Sequence, residues 1–509
     1  MTRFSISLTV LAAVAGRSAA QQRVPNTALD RTFDARIDSV LHAWKVPGIG
    51  IAVVKGSQVI LIKGYGFKDL EAKIAVTPAT KFAIGSVTKS FTVTALASQA
   101  TEGKLDWDAP VRRYLPDFQM FDPVVTERMT TRDLVTHRSG LPRHDLMWGG
   151  GTFTREQLYQ RLRFLEPTKD FRAVWQYQNL MYLTAGYLSG TLDGKAWEDV
   201  VRTRVFAPLG MTTADISVNE LTRSPDYSFG YAKLPNDSVI RIPYRNLDAI
   251  GPAGAINASI AEMIKYVTMH LNQGKFEGKE VISGAAAREM QVPQMVIPVS
   301  PAPTAGGTDL GHEQYGMGFF IGSYRGRKMV HHGGNIDGFS AEVNFLPNDS
   351  IGVVVLTNLN GTATRDFIPF MVYDRLLGLA PIDWSGRFKA QVARGLARQD
   401  SIRNAEVASR VANTKPSRAL TEFVGSYNHP GYGDLAIGLS GDKLTFNYSS
   451  FSVDMSHVHY DVFETEPRSA AQPIRWKVQF LSDPAGKVSG IAVPLEPALK
   501  PIVFLRKKA

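Results

Sequence analysis

Ser86-Val87-Thr88-Lys89 sets a hydroxyl and an amine one helical turn apart, and two further polar clusters follow it in order, Tyr177-Gln178-Asn179 and His332-Gly333-Gly334. A serine hydroxyl is a weak nucleophile at neutral pH and needs a base within hydrogen-bond reach. Lys89 can be that base where burial or cationic neighbours depress its pKa. Tyr177 can relay protons if a nearby cation lowers its own pKa, and the Asn179 amide can fix a substrate carbonyl. Paired Gly333 and Gly334 on an edge strand let a substrate backbone come close. The N–H of Asn335, just beyond, can join that of Ser86 as an oxyanion hole. Together these groups describe acyl transfer through a serine. Each motif alone has an ordinary alternative: a serine cap with a solvated lysine, an aromatic core anchor with a capping asparagine, a glycine-rich hairpin turn. Ser-x-x-Lys also occurs at Ser440 to Lys443 and Tyr-x-Asn at Tyr244 to Asn246, so order and context must carry the assignment.

The surrounding text supplies that context. A short apolar stretch, Phe82 to Gly85, precedes Ser86; Val87, Phe91 and Ala95 then recur at four-residue spacing, with no Pro or Gly until Gly103. The spacing predicts a helix with Ser86 at its N-terminus, where orphan N–H groups and the dipole favour an anion. Tyr177 opens a second helical run that continues to Gly186. The His332 cluster follows an apparent strand and precedes another, Glu342 to Leu346, so His331 points to the opposite face and carries no catalytic role. Tyr244 follows Ile242-Pro243 in extended sequence and reads as a loop. Gly50 to Val54 and Val59 to Tyr65 read as a hairpin, residues 86 to 290 as largely helical, Pro298 to Gly307 as a loop, and Gly316 to Leu356 as returning strands. Strands from both ends of this region with helices between them imply an α/β lobe against a helical lobe, with the site in the cleft.

On these motifs the chain resembles the serine β-lactamase and penicillin-binding-protein-like hydrolases of class C type, which include D,D-peptidases, D-aminopeptidases and esterases. Further landmarks are Thr131 to Pro142 after the nucleophile helix, Phe206 to Met211 and Pro252-Ala253-Gly254, so the likeness runs from Phe33 to Leu379. It implies that Ser86 is acylated, that Lys89 and Tyr177 move protons, and that His332 stands where β-lactamases usually carry the Lys of Lys-Thr-Gly. Lysine is a permanent cation for a carboxylate-bearing substrate, whereas histidine is mostly neutral near pH 7. Peptidase or esterase activity on small amides, esters or short peptides is therefore expected ahead of β-lactamase activity. A catalytically silent ligand-binding or sensor protein of the same fold is the rival.

The expected organisation is a signal peptide over 1–20, a hydrolase domain of β-lactamase-like α/β fold over 25–380, a connecting helix and linker over 381–417, and a small all-β barrel over 418–509. Arg3, the apolar run Phe4 to Gly16 and Ser18-Ala19-Ala20 suit cleavage after Ala20 and a periplasmic or secreted location. Lys389 to Val411 has helical character, and the alternation of Leu444, Phe446 and Tyr448, then of Ile474, Trp476, Val478 and Phe480, marks strands. About seven short strands suggest a barrel, which resembles the lipocalin-like domain attached to some members of the family. Its turn Asn428 to Gly433 is expected to reach toward the cleft.

Composition fits this reading. The chain has 509 residues, 44% apolar, too many for one core. A net charge of +10 is spread along the chain without nucleic-acid-binding motifs, so no nucleic-acid partner is expected. No segment is long enough to span a bilayer, and the absence of cysteine excludes disulfides and a thiol nucleophile. His457 and His459 share ligand-like spacing without a matching carboxylate, so no metal or other cofactor is expected. No Gly-x-Ser-x-Gly occurs, which argues against an α/β-hydrolase.

Overall fold

The computed structural model describes residues 29–150, 153–299, 304–467, 469 and 474–508. The expected leader and the first residues of the hydrolase domain lie outside them. A nine-stranded antiparallel sheet forms the scaffold, in the order 295–296, 314–315, 320–324, 327–336, 339–346, 351–357, 48–55, 58–69, 74–75. The hairpin Gly48–Lys55 and Gln58–Asp69 thus pairs with the late strand Ile351–Thr357, joining both ends of the region.

The continuous apolar runs of the two central strands follow from burial on both faces. Ile51, Val53, Val353 and Val355 pack in one core with Phe33, Ile37, Phe367 and Tyr373 from the helices Arg31–Trp44 and Thr364–Leu376. Their alternates Ala52, Val54, Val354 and Leu356 face the other core, with Ile260, Met263 and Val267 of the helix Ile260–Leu271. A strand's period of two divides one sequence between two cores. The helices of the middle region pack on this second side, among them Thr88–Thr101 and Asn179–Asp193.

The connecting helix spans Trp384–Ala408, beginning and ending earlier than its sequence suggests. Asp383 caps it by accepting the Gly386 N–H at 3.0 Å, and Trp384 is buried against Tyr324 and Phe370. The C-terminal strands close into a barrel of eight, from Gly425–His429 to Ile502–Arg506. The strand Val462–Thr465 is the one most easily missed. It has four residues, and the turn before it uses Tyr460 at φ 47° with neither Gly nor Pro. Ser440 and Lys443 face each other across a hairpin in this barrel, and Tyr244 to Asn246 lie in a loop. His457 and His459 flank a register shift. His457 Nε2 lies 2.8 Å from the Tyr460 carbonyl. Among the described residues no helix is long and apolar enough to cross a membrane, and no group of three His, Asp or Glu side chains is arranged to hold a metal.

Candidate active site

Ser86 lies in a 3-10 turn, Gly85–Val87, that runs directly into the helix Thr88–Thr101. Neither segment has a side-chain N-cap, so the hydroxyl is not spent on capping. Ser86 Oγ instead lies 3.0 Å from Lys89 Nζ, which also donates to the Ala253 carbonyl at 2.8 Å. Lys89 is 0% exposed, and its Nζ sits over the rings of Tyr177 and Tyr182 at 4.8 and 5.4 Å. Burial holds its pKa well below the ordinary lysine value, Arg143 pushes the same way, and Asp145 opposes them. A neutral amine can donate one N–H to Ala253 and turn its lone pair to the Ser86 hydroxyl. Pro252-Ala253-Gly254 earns its place as a landmark here: Thr92 Oγ1 donates to the Pro252 carbonyl at 2.7 Å, one turn along from Lys89.

Tyr177 differs from expectation. Burial raises its pKa above the ordinary phenol value, although Ser86 and Arg143 both pull it down. It is a neutral phenol, suited to carrying a proton rather than abstracting one. The residue after it, Gln178, caps the helix Asn179–Asp193 through its side chain, the capping role weighed for Asn179. Asn179 is buried and its Nδ2 donates to Asp145 Oδ1 at 2.9 Å.

The His332 cluster lies on Arg327–Ile336, an interior strand rather than an edge strand. Its partner Phe320–Tyr324 stops opposite His331, leaving residues 332–336 open on that side. The turn Gly85–Val87 fills the gap. A Cβ at Gly334 would stand 1.8 Å from the Ile84 carbonyl oxygen, and one at Gly85, where φ is +51°, 2.8 Å from the Asn335 nitrogen. These glycines seat strand against turn, bringing the backbone nitrogens of Ser86 and Asn335 to one junction. The Asn335 side chain turns away, its Oδ1 accepting from Ser340 and the Gly361 N–H. Gly333 makes room for Arg365, whose guanidinium binds the Gly334 carbonyl.

His332 is 1% exposed; its Nδ1 lies 2.7 Å from the Gly333 carbonyl and its Nε2 3.1 Å from the Tyr315 hydroxyl. The carbonyl can only accept, so Nδ1 carries the proton and Nε2 accepts from Tyr315. Burial, and next the charge of Lys89, hold its pKa well below the ordinary value, so it brings no positive charge. His331, on the other face, lies 2.9 Å from Glu313 and 3.1 Å from Glu342. Burial pulls its pKa down, but these two carboxylates more than offset that and push it up to about 10. A folded value above the unfolded one gives stability fully present below about pH 6.5 and lost as the pH climbs toward about 10. The urea-midpoint advantage of wild type over His331→Gln is expected to shrink across that interval. A constant difference would show that the charge contributes nothing.

Other buried side chains pack around these groups outside the three motifs. His137 is fully buried at φ 59°, accepts the Gln178 N–H on Nδ1 at 3.0 Å, and packs 4.3 Å from the Tyr177 ring. Asp133, buried in the same landmark segment, binds Arg138 and Arg172 at 2.5 and 2.7 Å. Arg143 lies over the Tyr177 ring at 4.9 Å. The barrel turn Asn428 to Gly433 docks beside this region: Arg161 bonds the Pro430 and Gly431 carbonyls, and the Tyr432 hydroxyl lies 2.7 Å from His144 Nδ1.

Comparison with known proteins identifies the family and the fold. Residues 30–373 match the family described as Beta-lactamase, and residues 409–506 a domain of unknown function (DUF3471). An unguisins hydrolase of Aspergillus campestris is 29% identical over 438 residues, covering 80% of this chain and 78% of the relative. The octameric penicillin-binding protein homologue of Pyrococcus abyssi shares the fold at a TM-score of 0.60 and 21% identity, over 94% of this chain and 99% of its own. The D-amino acid amidase of Ochrobactrum anthropi, complexed with L-phenylalanine amide, superposes at 0.54 and 22% identity, over 69% of this chain and 97% of its own. A serine and a buried lysine at the start of one helix, facing a glycine-bearing sheet strand, on a chain whose greater part matches that family, make this protein a member of the β-lactamase family of serine-type hydrolases.

Proposed function

We propose that this chain hydrolyses small amides or esters, in the manner of a peptidase or esterase, through an acyl-enzyme on Ser86. The observation that carries the reading is the 3.0 Å contact between Ser86 Oγ and the Nζ of a fully buried lysine. As Oγ attacks the substrate carbonyl, neutral Lys89 takes the hydroxyl proton. The N–H groups of Ser86 and Asn335 meet the developing oxyanion. Collapse expels the leaving amine or alcohol, which receives its proton by way of Lys89 and the Tyr177 phenol. Water then repeats the sequence on the ester and releases the acid. Asn179 orients the substrate's amide.

Neutral His332 favours this activity over β-lactam hydrolysis, because the position offers no cation to a substrate carboxylate. A hydrolase among the relatives and an amidase among the structural neighbours point the same way. Export belongs to the proposal on the N-terminal sequence alone. Screening D-aminoacyl amides, p-nitrophenyl esters and nitrocefin is expected to show turnover of an amide or ester and not of nitrocefin. Efficient nitrocefin hydrolysis would overturn the preference, and a fully inert protein would support the ligand-binding alternative.

A further inference from the structure

Arg143, His144 and Asp145 lie between the cleft and the barrel, and their side chains divide between the two. Arg143 stacks over Tyr177, and its Nε donates to Asp145 Oδ2 at 2.6 Å. The other oxygen of Asp145 accepts from Asn179 Nδ2 at 2.9 Å and from Trp148 Nε1 at 3.0 Å. His144 faces the barrel instead. Its backbone N–H donates to Glu496 Oε2 at 2.7 Å, and its Nδ1 lies 2.7 Å from the Tyr432 hydroxyl. Glu496 and Tyr432 are themselves buried, and the Tyr448 hydroxyl lies in the same seam, 3.2 Å from both the Tyr432 and the Leu146 carbonyls, between which its one proton is shared.

His144 has φ 49° and ψ 33°, the left-handed region. A non-glycine residue keeps that conformation only where its surroundings fix it. Here the fixing groups belong to the barrel. We propose that the barrel is a positioning element for the proton-transfer site: Glu496 and Tyr432 hold His144 in its left-handed turn, and the turn sets Arg143 on Tyr177 and Asp145 on Asn179. Neither Glu496 nor Tyr432 touches the reacting groups; both act through His144. The inference rests on the serine-hydrolase reading above.

The test uses the full-length chain and two readouts, the rate of Ser86 labelling by a fluorophosphonate and the kcat and KM of a responsive ester. Glu496→Ala is expected to lower the labelling rate and kcat by about tenfold or more with KM little changed, as small misplacements at a distance do. His144→Asn, which tolerates the left-handed region, is expected to label at least about fivefold faster than His144→Val, whose β-branch does not. A contact that merely glues two domains together would lower the melting temperature and leave kcat alone. Labelling of Glu496→Ala at the wild-type rate, or equal loss in the His144→Asn and His144→Val variants, would overturn the proposal. Should His144→Val fail to fold, the Glu496→Ala result decides. Failure of wild type to label at Ser86 would instead remove the hydrolase reading itself.

Discussion

Ser86→Ala is expected to lower turnover by about 10⁴-fold or more while leaving the fold intact, since residues that act as one unit lose nearly everything together. The serine is half-buried, and its hydroxyl has Lys89 as its hydrogen-bond partner at 3.0 Å. Its removal opens almost no cavity and frees no cap. Purified wild type and variant should therefore share a melting temperature and differ in rate on the best ester of the panel. A variant that retains a tenth or more of the wild-type rate would place the chemistry elsewhere, and Ser440 on its barrel hairpin would need testing in turn.

Lys89→Met and Tyr177→Phe are each expected to lower kcat by about 10² to 10⁴, the range that general acid–base groups contribute. Both substitutions keep volume. Methionine fills the lysine's space against Tyr177 and Tyr182, and phenylalanine keeps the ring that Arg143 and His137 pack against. Lys89→Met leaves the Ala253 carbonyl without its donor but also removes an amine that burial disfavours in its charged form, so thermal stability should change little. Rates and melting curves measured on the same samples separate the cases. Activity and stability falling in proportion would make Tyr177 a core anchor rather than a proton carrier.

The sequence made visible what local pattern encodes. Four-residue apolar spacing placed Ser86 and Lys89 on one turn, and alternation around Phe446 and Val478 marked barrel strands. Apolar runs such as Ile351 to Leu356 announced strands covered on both faces. It left hidden what tertiary neighbours decide. Tyr177 was open to a cation that would lower its pKa; Arg143 does stack on it, yet burial outweighs that charge. Gly333 and Gly334 read as room for a substrate on an edge strand, whereas the turn that carries Ser86 and the Arg365 side chain occupy that room. The capping role weighed for Asn179 belongs to Gln178, because the helix begins at Asn179 and Gln178 holds the N-cap position. His137 lies inside the landmark segment Thr131 to Pro142 without a role legible there, and His144 lies just beyond it. Both have left-handed backbones, and a non-glycine residue at positive φ leaves little local trace in sequence.

The central claim, that Ser86 is the acylated nucleophile, is tested most directly by mass spectrometry of the intact protein after incubation with a slow acyl donor, followed by peptide mapping. One adduct per chain, located on Ser86 and absent from Ser86→Ala, is the predicted result. An adduct mapped to Ser440, or an equal adduct in the Ser86→Ala variant, would contradict it.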